Sequence, residues 1–71
     1  MEKIRVGDRF KPKQELFRTE ITVININDFR DPVERYGCTI KRWYGDTVED
    51  VDDVYFVGDD FFNTYCERIE D

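Results

Sequence analysis

The sequence predicts a mainly β fold: a single small domain built on a strongly bent antiparallel sheet or barrel of five strands, with one short helical turn before the last strand. Three observations lead there. Val, Ile and Thr fill 18 of the 71 positions, while Leu occurs only at Leu16 and Ala is absent. β-Branched side chains are stiff at χ1 and suit a pleated surface, whereas a long helix leans on Ala and Leu. The apolar runs are short and are punctuated by Gly, Pro, Asn or Asp, as expected of strands joined by turns. Finally, 71 residues have room for one core, so residues 1–71 are read as one unit.

Each element follows from its residues. Val6-Gly7-Asp8-Arg9-Phe10 reads as a turn feeding a first strand, which Pro12 ends or confines to a sheet edge. Residues 17–27 form the second strand, with Ile21 and Val23 on one face and Ile24 and Ile26 on the other. That slip in phase predicts a bulge, or a strand covered on both faces. Residues 27–36 carry Asn, Asp, Pro and further charges and are expected to be a solvated connection. In residues 37–44, Cys38 and Ile40 alternate with Thr39, Lys41 and Trp43, a half-buried strand closed by Gly45 and Asp46.

Residues 46–53 are read as an acidic loop whose Val48 and Val51, three apart, anchor one helical turn. Val54, Tyr55, Phe56 and Val57 are expected to form a buried strand. Asp59 and Asp60 follow Gly58 and start a short helix through residue 65, because carboxylates there accept unpaired amide protons. Residues 66–70 return as the last strand.

The opening Val6-Gly7-Asp8-Arg9-Phe10 and the closing Phe61-Phe62-Asn63-Thr64-Tyr65-Cys66-Glu67-Arg68-Ile69 resemble the two ends of small SH3-like barrel proteins of bacteriophages and mobile elements. The resemblance implies an SH3-like barrel, and it bears on fold more than on function. The chain lacks the Ala-Leu-Tyr-Asp-Tyr type segment and paired tryptophans of eukaryotic SH3 domains, so proline-rich peptides are not the expected ligand.

The chemistry of the chain speaks against catalysis. It contains no His and no Ser, which removes the arrangements that activate a nucleophile through imidazole. Cys38 and Cys66 are read as reduced thiols. A low-pKa Cys38 beside Lys41 or Arg42 is weighed against a buried structural thiol, and the latter is preferred. There is no Gly-rich phosphate loop and no zinc-ligand spacing, and residues 46–53 lack the alternation and central Gly of an EF-hand. No catalytic residue, cofactor or metal is therefore expected. Met1-Glu2-Lys3-Ile4-Arg5 does not lead into an apolar signal core, and no run is long enough to span a bilayer. The expected location is the cytoplasm of a bacterial host, away from membrane.

Charge carries the functional reading. Residues 1–42 hold ten basic and seven acidic side chains, net +3, whereas residues 43–71 hold one basic and ten acidic, net −9, which accounts for the chain's −6. If the acids share a face, Asp46, Glu49, Asp50, Asp52, Asp53, Asp59 and Asp60 would present negative charge comparable to a nucleic-acid backbone and steer the domain to a basic groove on a partner protein. Trp43 and Tyr44 are consecutive, so on a strand one of them is exposed and can anchor an interface. The expected function is a non-enzymatic binding module using these residues. In size and charge the chain is similar to the anti-CRISPR and anti-restriction proteins of mobile elements, which implies an inhibitor of a host macromolecule. A solvated acidic surface serving solubility is the plainer alternative. A second functional reading is a nucleic-acid-binding domain using Arg9, Lys11, Lys13, Lys41 and Arg42, with Lys3 and Arg5, beside the aromatic pair. A third is a homo-oligomeric structural or accessory protein that uses exposed strand edges.

Overall fold

The computed structural model describes residues 3–70, and of Asp52 the backbone only. Two glycines set the turns that begin the sheet and its main hairpin. Gly7 adopts a φ of 96° and Gly45 one of 61°, both in the left-handed region that disfavours a Cβ. Gly7 donates its N–H to the Val23 carbonyl at 2.8 Å, and the Val23 N–H returns to the Asp8 carbonyl at 2.9 Å. The chain is thereby stitched to the second strand before the first begins.

The elements are β1 (Arg9–Pro12), β2 (Thr19–Ile26), a 3-10 turn (Pro32–Glu34), β3 (Tyr36–Tyr44), β4 (Thr47–Val57), α1 (Asp59–Tyr65) and β5 (Cys66–Arg68). All five strands join one antiparallel sheet in the order β4-β3-β2-β1-β5. β4 and β5 are its two edges and are not paired with each other, so of the two forms expected, barrel or antiparallel sheet, the barrel is corrected: the sheet is open. β5 has only three residues and is engaged by β1. In place of a hydrogen-bonded seam, α1 lays Phe62 into the core.

Phe62 is fully buried, its ring centroid 4.2 Å from Phe10 and 5.6 Å from Tyr36. Ile4, Ile21, Val23, Cys38 and Cys66 complete the core. The short helix starts at Asp59 and Asp60 as expected, but neither carboxylate is seen to accept a helix amide: the N-cap position is held by Gly58 with no side-chain cap, and the acids contribute only their charge in the first turn. Pro12 ends β1, but β1 lies inside the sheet rather than at its edge, with Pro12 opposite Cys66. The connection after β2 is a polar loop, as expected. Its 3-10 turn is capped by Asp31, which accepts the Val33 N–H at 3.1 Å.

The phase slip in β2 is a bulge. Val23 pairs with Cys38 and Asn25 with Gly37, so β2 advances two residues while β3 advances one. The extra residue, Ile24, is turned out to solvent.

The acidic segment departs from its expected form. Residues 47–53 belong to β4 and form neither a loop nor a helical turn. Once Gly45 closes the turn, Tyr44 faces Thr47, Trp43 faces Val48, Arg42 faces Glu49, Lys41 faces Asp50 and Ile40 faces Val51. Opposite charges directly across an antiparallel pair favour the ladder, and Thr47, Val48 and Val51 suit a strand. Between Cys38 and Ile40 the chain advances two residues, while β4 runs four, from Val51 to Tyr55. Two extra β4 residues are therefore accommodated in a second bulge. A further correction concerns residues 54–57: Val54, Tyr55 and Phe56 are exposed rather than buried, because an edge strand has a neighbour on one side only.

Candidate recognition hairpin

The β3–β4 hairpin runs past the rest of the sheet. β2 pairs with β3 only as far as Thr19 opposite Arg42, so Trp43, Tyr44 and their β4 partners lie beyond the last β2 register position. The loop before β2 supports this tip: the Trp43 N–H donates to the Arg18 carbonyl at 2.9 Å, and the Arg18 guanidinium stands 4.5 Å from the Trp43 ring centroid. Tyr44 packs on Phe17 with centroids 4.6 Å apart. Trp43 is half-buried and Tyr44 is exposed, so the expectation of one exposed aromatic falls on Tyr44. Phe17, Val48 and the almost fully exposed Leu16 add apolar surface near the tip. Sequence reasoning missed Phe17, because it was absorbed into a strand that begins two residues later.

The acidic residues trace the edge rather than fill one patch. Asp46 is in the turn, and Glu49, Asp50 and Asp53 are exposed along β4; the side chain of Asp52 lies outside the described residues. Asp59 and Asp60 follow the far end of β4. Asp59 is tied down: its carboxylate accepts the Tyr36 hydroxyl at 2.6 Å and Arg35 Nη1 at 3.1 Å. These bonds join α1 to β3 and give Asp59 a structural role. Burial, with the Asp59 carboxylate beside it, raises the Tyr36 pKa above its ordinary value. Asp60 is exposed on a groove of about 390 Å³ lined by Pro32, Val33, Phe56, Phe61 and Tyr65.

The basic candidates are interleaved with acids. Lys41 Nζ lies 3.6 Å from Asp50 Oδ1, Arg9 lies 3.7 Å from Glu20 and Lys11 lies 4.0 Å from Glu67. Arg42 faces Glu49 and donates through Nε to Thr19 Oγ1 at 3.4 Å. Lys13 is exposed after β1. Near the N-terminus the Lys3 carbonyl accepts from Arg68, and the Arg5 N–H donates to Asp8 at 2.8 Å. Arg68 also pairs with Asp8. The Asp8 pKa is lowered by the Arg5 amide first, against some desolvation, with Arg68 adding to the effect. The charge split along the chain is thus folded into alternating rows.

Cys38 and Cys66 are unlinked and buried. Burial pushes both thiols up to about 11, and for Cys38 the neighbouring Cys66 adds to the rise. Lys41 points with Trp43 to the face opposite Cys38, as strand alternation requires, so it does not activate that thiol. No helix among the described residues is long and apolar enough to cross a membrane. Comparison with protein-family models, characterised proteins and solved structures finds no match, and the hairpin itself is the starting point for function.

Proposed function

We propose that this chain is a non-enzymatic binding module that engages a basic protein surface through its β3–β4 hairpin, with Tyr44 and Trp43 as anchors and Asp46, Glu49, Asp50 and Asp53 as the charged flank. The observation that carries the reading is the hairpin's extension beyond β2, with aromatic side chains at its tip and carboxylates along its free edge. Aromatic anchors rimmed by charge are the common composition of interface hot spots. Acids along a free edge speed encounter with a basic partner and discourage strand-to-strand aggregation.

The strand order, with a helix between the last two strands, supports an open SH3-like topology. A domain of this size and charge suits an inhibitor that presents acids where a host protein's basic groove receives a nucleic-acid backbone. Direct nucleic-acid binding is less well supported, because Lys41, Arg42, Arg9 and Lys11 each have a carboxylate across from them or beside them.

The test is retention of host-lysate proteins on the immobilised chain. Bound protein should elute with rising salt, and the combined Glu49→Gln, Asp50→Asn, Asp53→Asn variant should weaken retention by about tenfold or more. Trp43→Ala and Tyr44→Ala should do the same without changing the salt dependence. Retention that survives all of these substitutions, or that ignores salt, refutes the reading.

A further inference from the structure

The free edge of β4 has a charge pattern that continues the one inside the sheet. On one face, Arg9 of β1 pairs with Glu20 of β2 at 3.7 Å; Glu20 faces Lys41 of β3; and Lys41 pairs with Asp50 of β4 at 3.6 Å. The row alternates in sign across four strands and stops at a carboxylate on the edge, where Asp50 remains 71% exposed. On the other face Arg42 is followed across the ladder by Glu49, which is also exposed. Among the described residues β4 pairs with β3 alone, so its outer row of backbone donors and acceptors faces outward.

We infer that an extended segment of the partner, carrying adjacent Lys or Arg residues, adds to β4 as a sixth strand along residues 47–51. This inference rests on the binding-module reading and names how the partner is held. Main-chain bonds to the edge would supply affinity, as in other strand-addition complexes. Neighbouring strand residues point to opposite faces, so two consecutive cations place one beside Asp50 and one beside Glu49 and extend both rows. A second copy of this chain is a poor occupant. Any twofold antiparallel pairing over residues 47–51 sets Glu49 or Asp50 directly opposite or diagonal to an acid of the other copy, and like charges so placed oppose pairing.

The probe is a synthetic peptide, Thr-Val-Lys-Arg-Thr-Val flanked by glycines, titrated into the isotope-labelled full chain. Two further peptides accompany it: one N-methylated at alternate backbone nitrogens, which keeps the charge but removes donors, and one with Lys-Arg replaced by Glu-Glu. The unmodified peptide should shift the amide resonances of residues 47–51 and slow their exchange. N-methylation should weaken binding by about tenfold, and the Glu-Glu peptide should not bind. The double variant Glu49→Gln, Asp50→Asn, altered only at exposed positions, should lose binding to a similar degree. Equal binding of the methylated and unmodified peptides overturns strand addition and leaves the acidic-hairpin reading standing. Binding of neither basic peptide at low salt overturns the inference, while the binding-module reading is decided by its own retention test. Dimers of the chain alone, detected by light scattering and lost on blocking β4, would make the second copy the occupant and also overturn it.

Discussion

Replacing Gly58 with alanine should destabilise the domain more than any other single-methyl addition to its glycines. Gly58 joins β4 to α1 with φ −111° and ψ −178°, an extended conformation open to any residue, so its requirement for glycine is steric. A Cβ there would collide with the Pro32 carbonyl oxygen and approach the Val33 Cα to 2.8 Å and the Pro32 carbonyl carbon to 3.1 Å. All three atoms belong to the backbone of the 3-10 turn, so no rotamer change relieves the overlap. Ordinary carbon contacts lie near ~3.5 Å or beyond, which means the turn and the helix must separate. That movement also loosens the Asp59 bonds to Tyr36 and Arg35.

Overpacking of this kind costs about 1–3 kcal/mol, and the strained Asp59 bonds place the total near the upper end. A domain of this length has roughly 4–10 kcal/mol in all. The midpoint of thermal unfolding should therefore fall by roughly 10 °C or more, at about 4–8 °C per kcal/mol. Circular dichroism on heating, together with urea titration, measures it. Gly37→Ala is the internal control, because its Cβ would meet the Phe56 ring at 3.3 Å and the Asn25 Cβ at 3.4 Å, and the exposed ring can turn aside. Alanine also restricts the unfolded chain and by itself favours folding by up to ~1 kcal/mol. A Gly58→Ala protein that melts at or above the parent temperature would refute the close approach of the 3-10 turn and the start of α1.

Three further outcomes are expected. The thiols of Cys38 and Cys66 titrate near 9 when unfolded and at about 11 when folded, so their contribution is complete below pH 9 and is lost as pH rises toward 11; urea midpoints should fall across that window, and the slope should flatten in Cys38→Ala, Cys66→Ala. Tyr36→Phe removes the hydroxyl donor to Asp59 and should lower stability by about 1–2 kcal/mol by urea titration. Asp8 has a lowered pKa, so it stabilises the fold above its unfolded value of 3.8 and ceases to do so as pH falls through the folded value. Asp8→Asn should accordingly weaken the acid dependence of the thermal midpoint below pH 4.

Much of the architecture was legible because it is local. The two-residue alternation of β3, the acids in the first turn of α1 and the slip of phase in β2 all act over a few neighbouring positions, and each appears close to where the residues place it. β4 was legible only at its apolar end. Its first half looks like a loop because Glu49, Asp50, Asp52 and Asp53 are poor strand residues taken alone, and it is Arg42 opposite Glu49 and Lys41 opposite Asp50 that favour the strand there. The candidate site was read in the same partial way. Trp43, Tyr44 and the β4 acids do meet on one hairpin, but counting charges along the chain hid the interleaving of Lys41 with Asp50 and of Lys11 with Glu67. Asp59 could not be separated from the surface acids by composition, since its engagement by Tyr36 and Arg35 is set by tertiary packing.

The two surplus residues of β4 interrupt its regular pairing with β3 between Val51 and Tyr55. A guest strand added along residues 47–51, as proposed, would meet that irregularity past Val51, so the host would cap its length. The same interruption denies identical chains a straight template for indefinite stacking, and irregularities of this kind are one way an open sheet edge avoids seeding fibres.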